Sequence, residues 1–154
     1  MRIETERFGE IEIDPETIIS MTVGPFGFEQ LREFCLIEHA PGCEFRWLQS
    51  LSDPGVAFVV VDPMQFFPEY DVELEEEDVE ELGLESPSEA VVLSIATIPR
   101  DVRETSANLL GPLVINAANR KAKQVILQNE SYTTKHRLLE SPALTQAAVA
   151  QGRG

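Results

Sequence analysis

The amino-acid sequence predicts a mainly β fold: a single-domain antiparallel β-barrel-like structure with one or two short surface helices. About seven or eight short apolar segments are separated by turn signals, and few segments have helical periodicity. The length of 154 residues fits one domain, and a hydrophobic fraction of 43% supplies a core. This pattern indicates an antiparallel barrel or sandwich, and a barrel is favoured because closure of a sheet removes its edges. We place the domain at residues 1–140 and a small, polar, flexible tail at residues 141–154.

The clearest local element is a hairpin within residues 45–61. Residues 45–51 alternate with period two, and residues 56–61 form a continuous apolar run typical of a strand buried on both faces. Pro54-Gly55 between them has the φ preferences of a tight turn. A second run of this kind, residues 91–98, predicts another strand buried on both faces.

The other elements have weaker signals. Alternation around Gly9 predicts an N-terminal hairpin, residues 34–38 predict a strand, and residues 113–115 and 124–127 predict a strand pair. Residues 29–33 are expected to form one helical turn.

A surface helix is predicted at residues 75–82. Its acidic residues suit the positive N-terminal end of a helix, and Gly83 suits the position after its last turn.

Charge is distributed unevenly along the chain. The formal net charge is −15, and nine of the thirteen residues at 69–81 are acidic. Residues 100–137 have the opposite balance, with seven Lys/Arg against three Asp/Glu. A field of the overall sign repels nucleic-acid phosphates and attracts basic proteins, so we expect a protein partner and no direct nucleic-acid binding.

Cys35, His39 and Cys43 follow one another at intervals of four residues. On one helix they would share a face and could ligate zinc, but Pro41-Gly42 interrupts a helix there and the neighbourhood offers no fourth ligand. We therefore predict no metal and no cofactor, and two free thiols in a reducing cytosol.

No sequence feature points to a membrane or to secretion. No run approaches the roughly 20 apolar residues of a membrane helix, and residues 1–6 lack the apolar core of a signal peptide. We therefore expect a cytoplasmic protein without membrane contact.

Motifs for catalysis are absent from the sequence: it has no Gly-x-Ser-x-Gly, no phosphate-binding loop and no dinucleotide fingerprint. Glu130, Ser131 and His136 are close in sequence, which does not make a triad. We predict a protein that is not an enzyme. A barrel that holds a small ligand and a generic acidic protein-interaction module are the alternatives.

Several segments, in this order and spacing, resemble the flagellar assembly factor FliW family. They are Gly24-Pro25-Phe26-Gly27-Phe28-Glu29, Trp47-Leu48-Gln49-Ser50, Ala57-Phe58-Val59-Val60-Val61-Asp62-Pro63, Phe66-Phe67-Pro68-Glu69-Tyr70 and Ser106-Ala107-Asn108-Leu109-Leu110-Gly111-Pro112-Leu113-Val114-Ile115-Asn116, followed by Arg120, Gln124, Tyr132 and Lys135-His136. The resemblance spans about residues 1–138. Family members tend to have Leu-Pro-Gly at Pro25-Phe26-Gly27, and Thr and Ala at Ser106 and Gly111.

The resemblance implies a cytoplasmic, mainly β binding protein with a chaperone-like role in bacterial flagellum biogenesis. FliW-like proteins bind flagellin before export. When free, they bind the RNA-binding regulator CsrA away from its RNA-contact surface and stop it repressing translation of flagellin mRNA. Flagellin and CsrA are therefore the expected partners of this chain.

The acidic segment, residues 69–81, is a candidate for the CsrA-binding face because an RNA-binding protein must be basic. Glu75, Glu76, Glu77 and Asp78 are its central candidates. The alternative is a solvated helix that aids solubility.

Phe66, Phe67 and Tyr70 lie in a proline-interrupted stretch and are candidates for a groove that receives an amphipathic flagellin helix. The alternative, which we favour, is that at least two of these three aromatic residues plug an end of the barrel.

Three further groups have mainly structural interpretations. We expect Trp47 to be a core residue. We expect three asparagines to bond backbone groups around a turn. The basic cluster is not expected to bind RNA. The asparagines are Asn108, Asn116 and Asn119, and the basic cluster is Arg120, Lys121 and Lys123.

Overall fold

The computed structural model describes residues 1–38 and 44–138. The predicted tail at residues 141–154 lies outside them, as do His39 and Cys43 of the spaced Cys/His group. The strands of the described residues are β1 (Arg2–Thr5), β2 (Gly9–Glu12), β3 (Ile19–Met21), β4 (Glu33–Glu38), β5 (Phe45–Ser50), β6 (Ala57–Val61), β7 (Ala90–Thr97), β8 (Ser106–Ala107), β9 (Leu113–Asn116), β10 (Lys121–Gln124) and β11 (His136–Arg137). The α-helices are α1 (Pro63–Phe66) and α2 (Glu76–Leu82), and 3-10 turns cover Pro15–Thr17, Pro87–Glu89 and Val102–Glu104.

Among the described residues, seven strands close into a barrel in the order β3-β4-β5-β6-β7-β9-β10, with β10 returning to β3. Neighbouring strands are antiparallel except β3 and β10, which run parallel. Strand β7 closes the barrel because its residues 90–93 pair with β9 and its residues 94–96 pair with β6. Strands β8 and β11 extend from β7, and β1 and β2 form a separate hairpin. The predicted barrel-like β fold is confirmed.

Two apolar clusters lie on opposite faces of the barrel wall. The inner cluster fills the barrel and includes Leu48, Val60 and Leu93, while Val61 and Val114 from the same wall belong to an outer cluster. Side chains of a strand alternate between its two faces, so β6 and β7 contribute to both clusters. Both faces of these strands are covered, which explains why their sequences are continuously apolar.

The predicted hairpin at residues 45–61 and the predicted helix at residues 75–82 are both confirmed, as β5–β6 and α2. The helical turn predicted at residues 29–33 is wrong: residues 29–30 form a non-helical turn and Glu33 already begins β4. Extended pairing of β4 with β5 outweighs the weak local preference for a helix there.

The strand predicted at residues 124–127 is displaced, because β10 covers Lys121–Gln124. The backbone N–H groups of Val125 and Leu127 still donate to the carbonyls of Pro112 and Leu110, so the chain remains beside the segment that leads into β9 after the regular ladder ends. The apolar residues 125–127, on which the prediction depended, therefore follow β10 and do not form it.

Trp47 is half-buried on the outer face of β5, so its prediction as a core residue is wrong. The guanidinium of Arg7 lies 4.2 Å from the centre of its ring, and the Phe8 ring meets it edge-on at 6.0 Å. Both residues come from the turn of the β1–β2 hairpin, which therefore packs against the barrel through this tryptophan.

Candidate protein-binding face

The acidic segment, residues 69–81, crosses the outer face of the barrel wall and ends in α2. Before the helix it alternates: Tyr70, Val72 and Leu74 pack into the outer cluster, whereas Asp71 and Glu73 are exposed. The alternation arises because apolar side chains cover the wall and successive residues of an extended chain point in opposite directions. Most carboxylates of this segment therefore face solvent on one surface, which we call the acidic face.

Helix α2 adds further carboxylates to the acidic face and is fixed at its C-terminal end. Glu76, Glu77 and Glu80 are exposed, whereas Leu82 is fully buried in the outer cluster. Gly83 ends the helix in the left-handed conformation with φ of 65°, and its N–H donates to the Glu80 carbonyl at 3.1 Å.

Two asparagines, Asn116 at the end of β9 and Asn119 in the turn that follows, also fix the end of α2. The Nδ2 groups of Asn116 and Asn119 both donate to the Leu82 carbonyl, at 2.8 and 2.9 Å. Asn108 Oδ1 accepts a hydrogen bond of 2.8 Å from the Gly111 N–H. The predicted structural role of these three asparagines is confirmed.

Lys123 of β10 links α2 to the barrel. Its Nζ donates to Asp78 Oδ1 at 2.7 Å and to Glu81 Oε2 at 2.9 Å, and the side chains of Lys123 and Asp78 are each only 18% exposed. Burial acts to lower the pKa of Lys123, but hydrogen bonds and attraction from the two carboxylates outweigh it and hold that pKa above its usual range. Asp78 is therefore engaged within the chain, while Glu75, Glu76 and Glu77 are exposed.

The same contact also shows how the residues of the basic cluster are used. Lys123 is paired with α2, and Arg120 donates to the Thr17 carbonyl at 3.0 Å, whereas Lys121 is exposed. The three cations thus do not form a joint basic surface.

An apolar groove opens beside the acidic face, between the covering segments and the barrel wall. Its volume is about 460 Å³. Its lining, which defines the apolar groove below, is Met64, Tyr70, Asp71, Val72, Leu74, Val79, Leu84, Glu85, Ser86, Pro87, Ala90, Val92 and Val114. Sequence reasoning missed this groove, because its half-buried valines and leucines come from separate elements, and only the apolar positions inside the acidic segment pointed toward it.

A second groove, of about 370 Å³, lies on the other side of the acidic segment. Asp71, Glu73, Glu75 and Asp78 line one wall, and the exposed Ile126 contributes to the other. The acidic segment thus forms a ridge between an apolar groove and an acidic one.

The predicted aromatic candidates separate on burial. Phe66 and Tyr70 are 4% and 5% exposed and belong to the outer cluster, so the expectation that they are exposed is wrong. Tyr70 nevertheless lines the apolar groove, and the role of the three aromatic residues in binding flagellin stays a prediction. Tyr70 also donates from its hydroxyl to the Leu109 carbonyl at 2.5 Å. Phe66 and Tyr70 cover the outside of the barrel wall and do not plug an end of the barrel. Phe67 is half-buried, with its ring edge-on to His136 at 4.9 Å.

The spaced Cys/His group is only partly described. Cys35 is a buried free thiol whose pKa is raised by burial. Across residues 1–38 and 44–138, no three His, Cys, Asp or Glu side chains are grouped to hold a metal ion. Because His39 and Cys43 lie outside those ranges, the prediction of free thiols without a metal stays a prediction.

The three residues considered for catalysis are exposed or half-buried. Ser131 is exposed and its N–H donates to Asn129 Oδ1 at 2.8 Å, while Glu130 is exposed. His136 is half-buried against Phe67. In the part of the chain that the structure describes, no helix is both long and apolar enough to cross a bilayer.

A β-barrel with a covered outer wall, an acidic ridge and flanking grooves belongs to the class of mainly β barrel proteins, and its grooved surface is suited to receiving a partner. Comparison with known proteins gives the family. The model of the family described as FliW protein matches residues 2–138. The chain therefore belongs to the FliW family of flagellar assembly factors.

Individual relatives agree with this assignment. The chain is 42% identical to the flagellar assembly factor FliW of Moorella thermoacetica over 155 residues, covering 100% of this chain and 98% of the relative. It is 43% identical to that of Alkaliphilus metalliredigens over 142 residues, covering 91% and 87%. A solved crystal structure of the flagellar assembly factor FliW superposes with a TM-score of 0.82 at 36% identity, covering 90% of this chain and 96% of that one.

Proposed function

We propose that this flagellar assembly factor binds flagellin in the cytoplasm and, when free, binds the translational regulator CsrA and antagonises its repression of flagellin mRNA translation. It acts by binding and not by catalysis. The observation that supports the regulator as a partner is the acidic face. Its carboxylates are exposed. Among the described residues, Lys123 is the one cation that forms salt bridges with α2.

Electrostatics favours a basic protein as the partner of this face. A protein that binds RNA must present positive charge to the phosphates, and complementary potentials accelerate encounter and select partners. Docked against such a protein, the acidic face also projects negative potential toward approaching RNA, which weakens its binding from outside the RNA-contact surface.

The test reverses charge on the acidic face without touching the Lys123 contact. Glu76→Lys, Glu77→Lys and Glu80→Lys together alter exposed positions of α2 and leave Asp78 in place. We expect affinity for CsrA at low salt to fall by at least about tenfold, with a smaller loss at high salt where surface charges are screened. Isothermal titration calorimetry at two salt concentrations measures both effects.

A matched control reverses the same number of charges elsewhere: Glu4→Lys, Glu16→Lys and Glu44→Lys are exposed and lie outside the acidic segment. This variant has the same net charge as the first, so it should retain affinity within about threefold if the location of the charge decides binding. Equal affinity of both triple variants for CsrA would contradict the acidic face as the binding site. Circular dichroism of both variants checks that the fold is intact.

A further inference from the structure

The apolar groove is a gap in the packing between the barrel wall and the segments that cover it. Val92 and Val114 of the wall form its floor, and Val79 of α2 and Leu84 line its sides. Protein interiors are packed with few voids larger than a water molecule, so an opening of about 460 Å³ in an apolar layer leaves surface that a partner's side chains can fill.

The opening of this groove has a defined chemistry. Met64, 42% exposed, lies at the opening, and its flexible thioether side chain can adapt to different apolar shapes. Asp71 and Glu85 line the groove as well and are exposed. The surface is therefore apolar at depth and negative at the rim.

We propose that the apolar groove binds one short amphipathic protein segment, with aliphatic side chains that enter the groove and Lys or Arg side chains that meet the rim carboxylates. Charge complementarity selects this occupant: an acidic segment would place like charges beside Asp71 and Glu85. Aliphatic residues at helical spacing present such a face from a single helix. The inference rests on the proposed function in taking the occupant to be a segment of a partner protein.

Synthetic peptides test the groove directly. One 14-residue peptide has Leu on one helical face and Lys on the other, a second has Glu in place of Lys, and a third has the Leu and Lys residues scrambled. Calorimetry with the full chain should show binding of the first peptide at least about tenfold tighter than binding of the other two. Equal binding of the first and the scrambled peptide would overturn the proposal, because charge alone would then explain it.

A filled groove supplies the second part of the test. Val79→Phe places a larger side chain at the groove wall, and Val102→Phe is the same exchange at a position that is 68% exposed and not part of the lining. The Leu/Lys peptide should lose at least about tenfold in affinity with the first variant and keep its affinity with the second. If the two variants bind it equally well, the groove is not the site.

Other occupants give different results, and each would overturn the proposal. A dimer of the unaltered chain in sedimentation that Val79→Phe dissociates would assign the groove to a second copy. A bound small molecule in native mass spectrometry, lost in the same variant, would assign it to a ligand. The proposed function is tested separately: if Val79→Phe abolishes peptide binding while the unaltered chain binds neither flagellin nor CsrA, the groove stands and the function fails.

Discussion

The attachment of α2 to the barrel through Asn116 leads to a quantitative prediction. The Asn116 side chain is buried, and its Nδ2 donates to the Leu82 carbonyl at 2.8 Å and to the Gly83 carbonyl at 3.2 Å. Its Oδ1 accepts a 2.8 Å bond from the Ala118 N–H. Asn116→Ala removes all three interactions and leaves a small void beside the end of the helix.

The expected loss follows from these contacts. Neutral hydrogen bonds contribute about 1 kcal/mol each, but the Leu82 carbonyl keeps its 2.9 Å bond from Asn119. We therefore expect Asn116→Ala to lower the free energy of unfolding by about 2–3 kcal/mol. The exposed Asn119 donates to Leu82 and accepts from the Lys121 N–H, so Asn119→Ala should cost about 1 kcal/mol.

The double variant tests the reasoning most sharply. With both amides removed, the Leu82 carbonyl has lost both side-chain donors, so the combined loss should exceed the sum of the single losses by about 1 kcal/mol. Urea unfolding followed by far-ultraviolet circular dichroism and by fluorescence of Trp47, the only tryptophan, measures the three values. A loss below about 0.5 kcal/mol for Asn116→Ala, or strict additivity, would refute the account of how α2 is held.

Two further predictions concern other contacts of the fold. Lys123→Met should lower the free energy of unfolding by about 1–2 kcal/mol, a value between those of exposed and buried salt bridges. Because the folded pKa of Lys123 is raised, this contribution is present at neutral pH and is lost as the pH rises through that pKa, so unfolding curves of the two proteins should converge at strongly alkaline pH. Gly24→Ala should lower the free energy of unfolding by more than about 3 kcal/mol, because the new Cβ would collide with the carbonyl oxygens of Phe28 and Leu31. Gly9 has a φ of 67° but open space around it, so Gly9→Ala should lower the free energy of unfolding by about 1 kcal/mol. Thermal unfolding measures both values.

Sequence reasoning succeeded where local pattern and tertiary contacts agree. The hairpin of β5 and β6 has a strong turn between an alternating strand and an apolar one, and α2 has acidic residues at its start and glycine after its end. These signals depend on near neighbours in the chain, and the structure satisfies them locally.

It failed where distant residues decide. Helix α1 is an exception, because its signal is local: it begins at Pro63 after Asp62, whose side chain accepts a hydrogen bond of 3.0 Å from the Met64 N–H and caps the helix. The parallel pairing of β3 with β10 depends on barrel closure, which no local pattern encodes. The burial of Phe66 and Tyr70 depends on the outer cluster, whose residues come from separate parts of the chain.

The candidate site was predictable only in part. The exposure of the acidic segment follows from its composition and from the alternating Val72 and Leu74, which cover the wall. The apolar groove is assembled from α1, α2, two barrel strands and the segments at residues 70–74 and 84–87, so no single sequence pattern unites its lining. The Lys123 contact with Asp78 joins positions 45 residues apart and could not be read from spacing.

The most direct test of the proposed function is a titration of this chain into a complex of CsrA with a labelled flagellin mRNA leader, followed by fluorescence anisotropy. Without flagellin, the RNA should be released as the chain reaches excess, and the variant with lysine at positions 76, 77 and 80 should need at least about tenfold more protein. Added flagellin should restore RNA binding. Retention of the RNA by CsrA in the presence of excess unaltered chain would contradict the account.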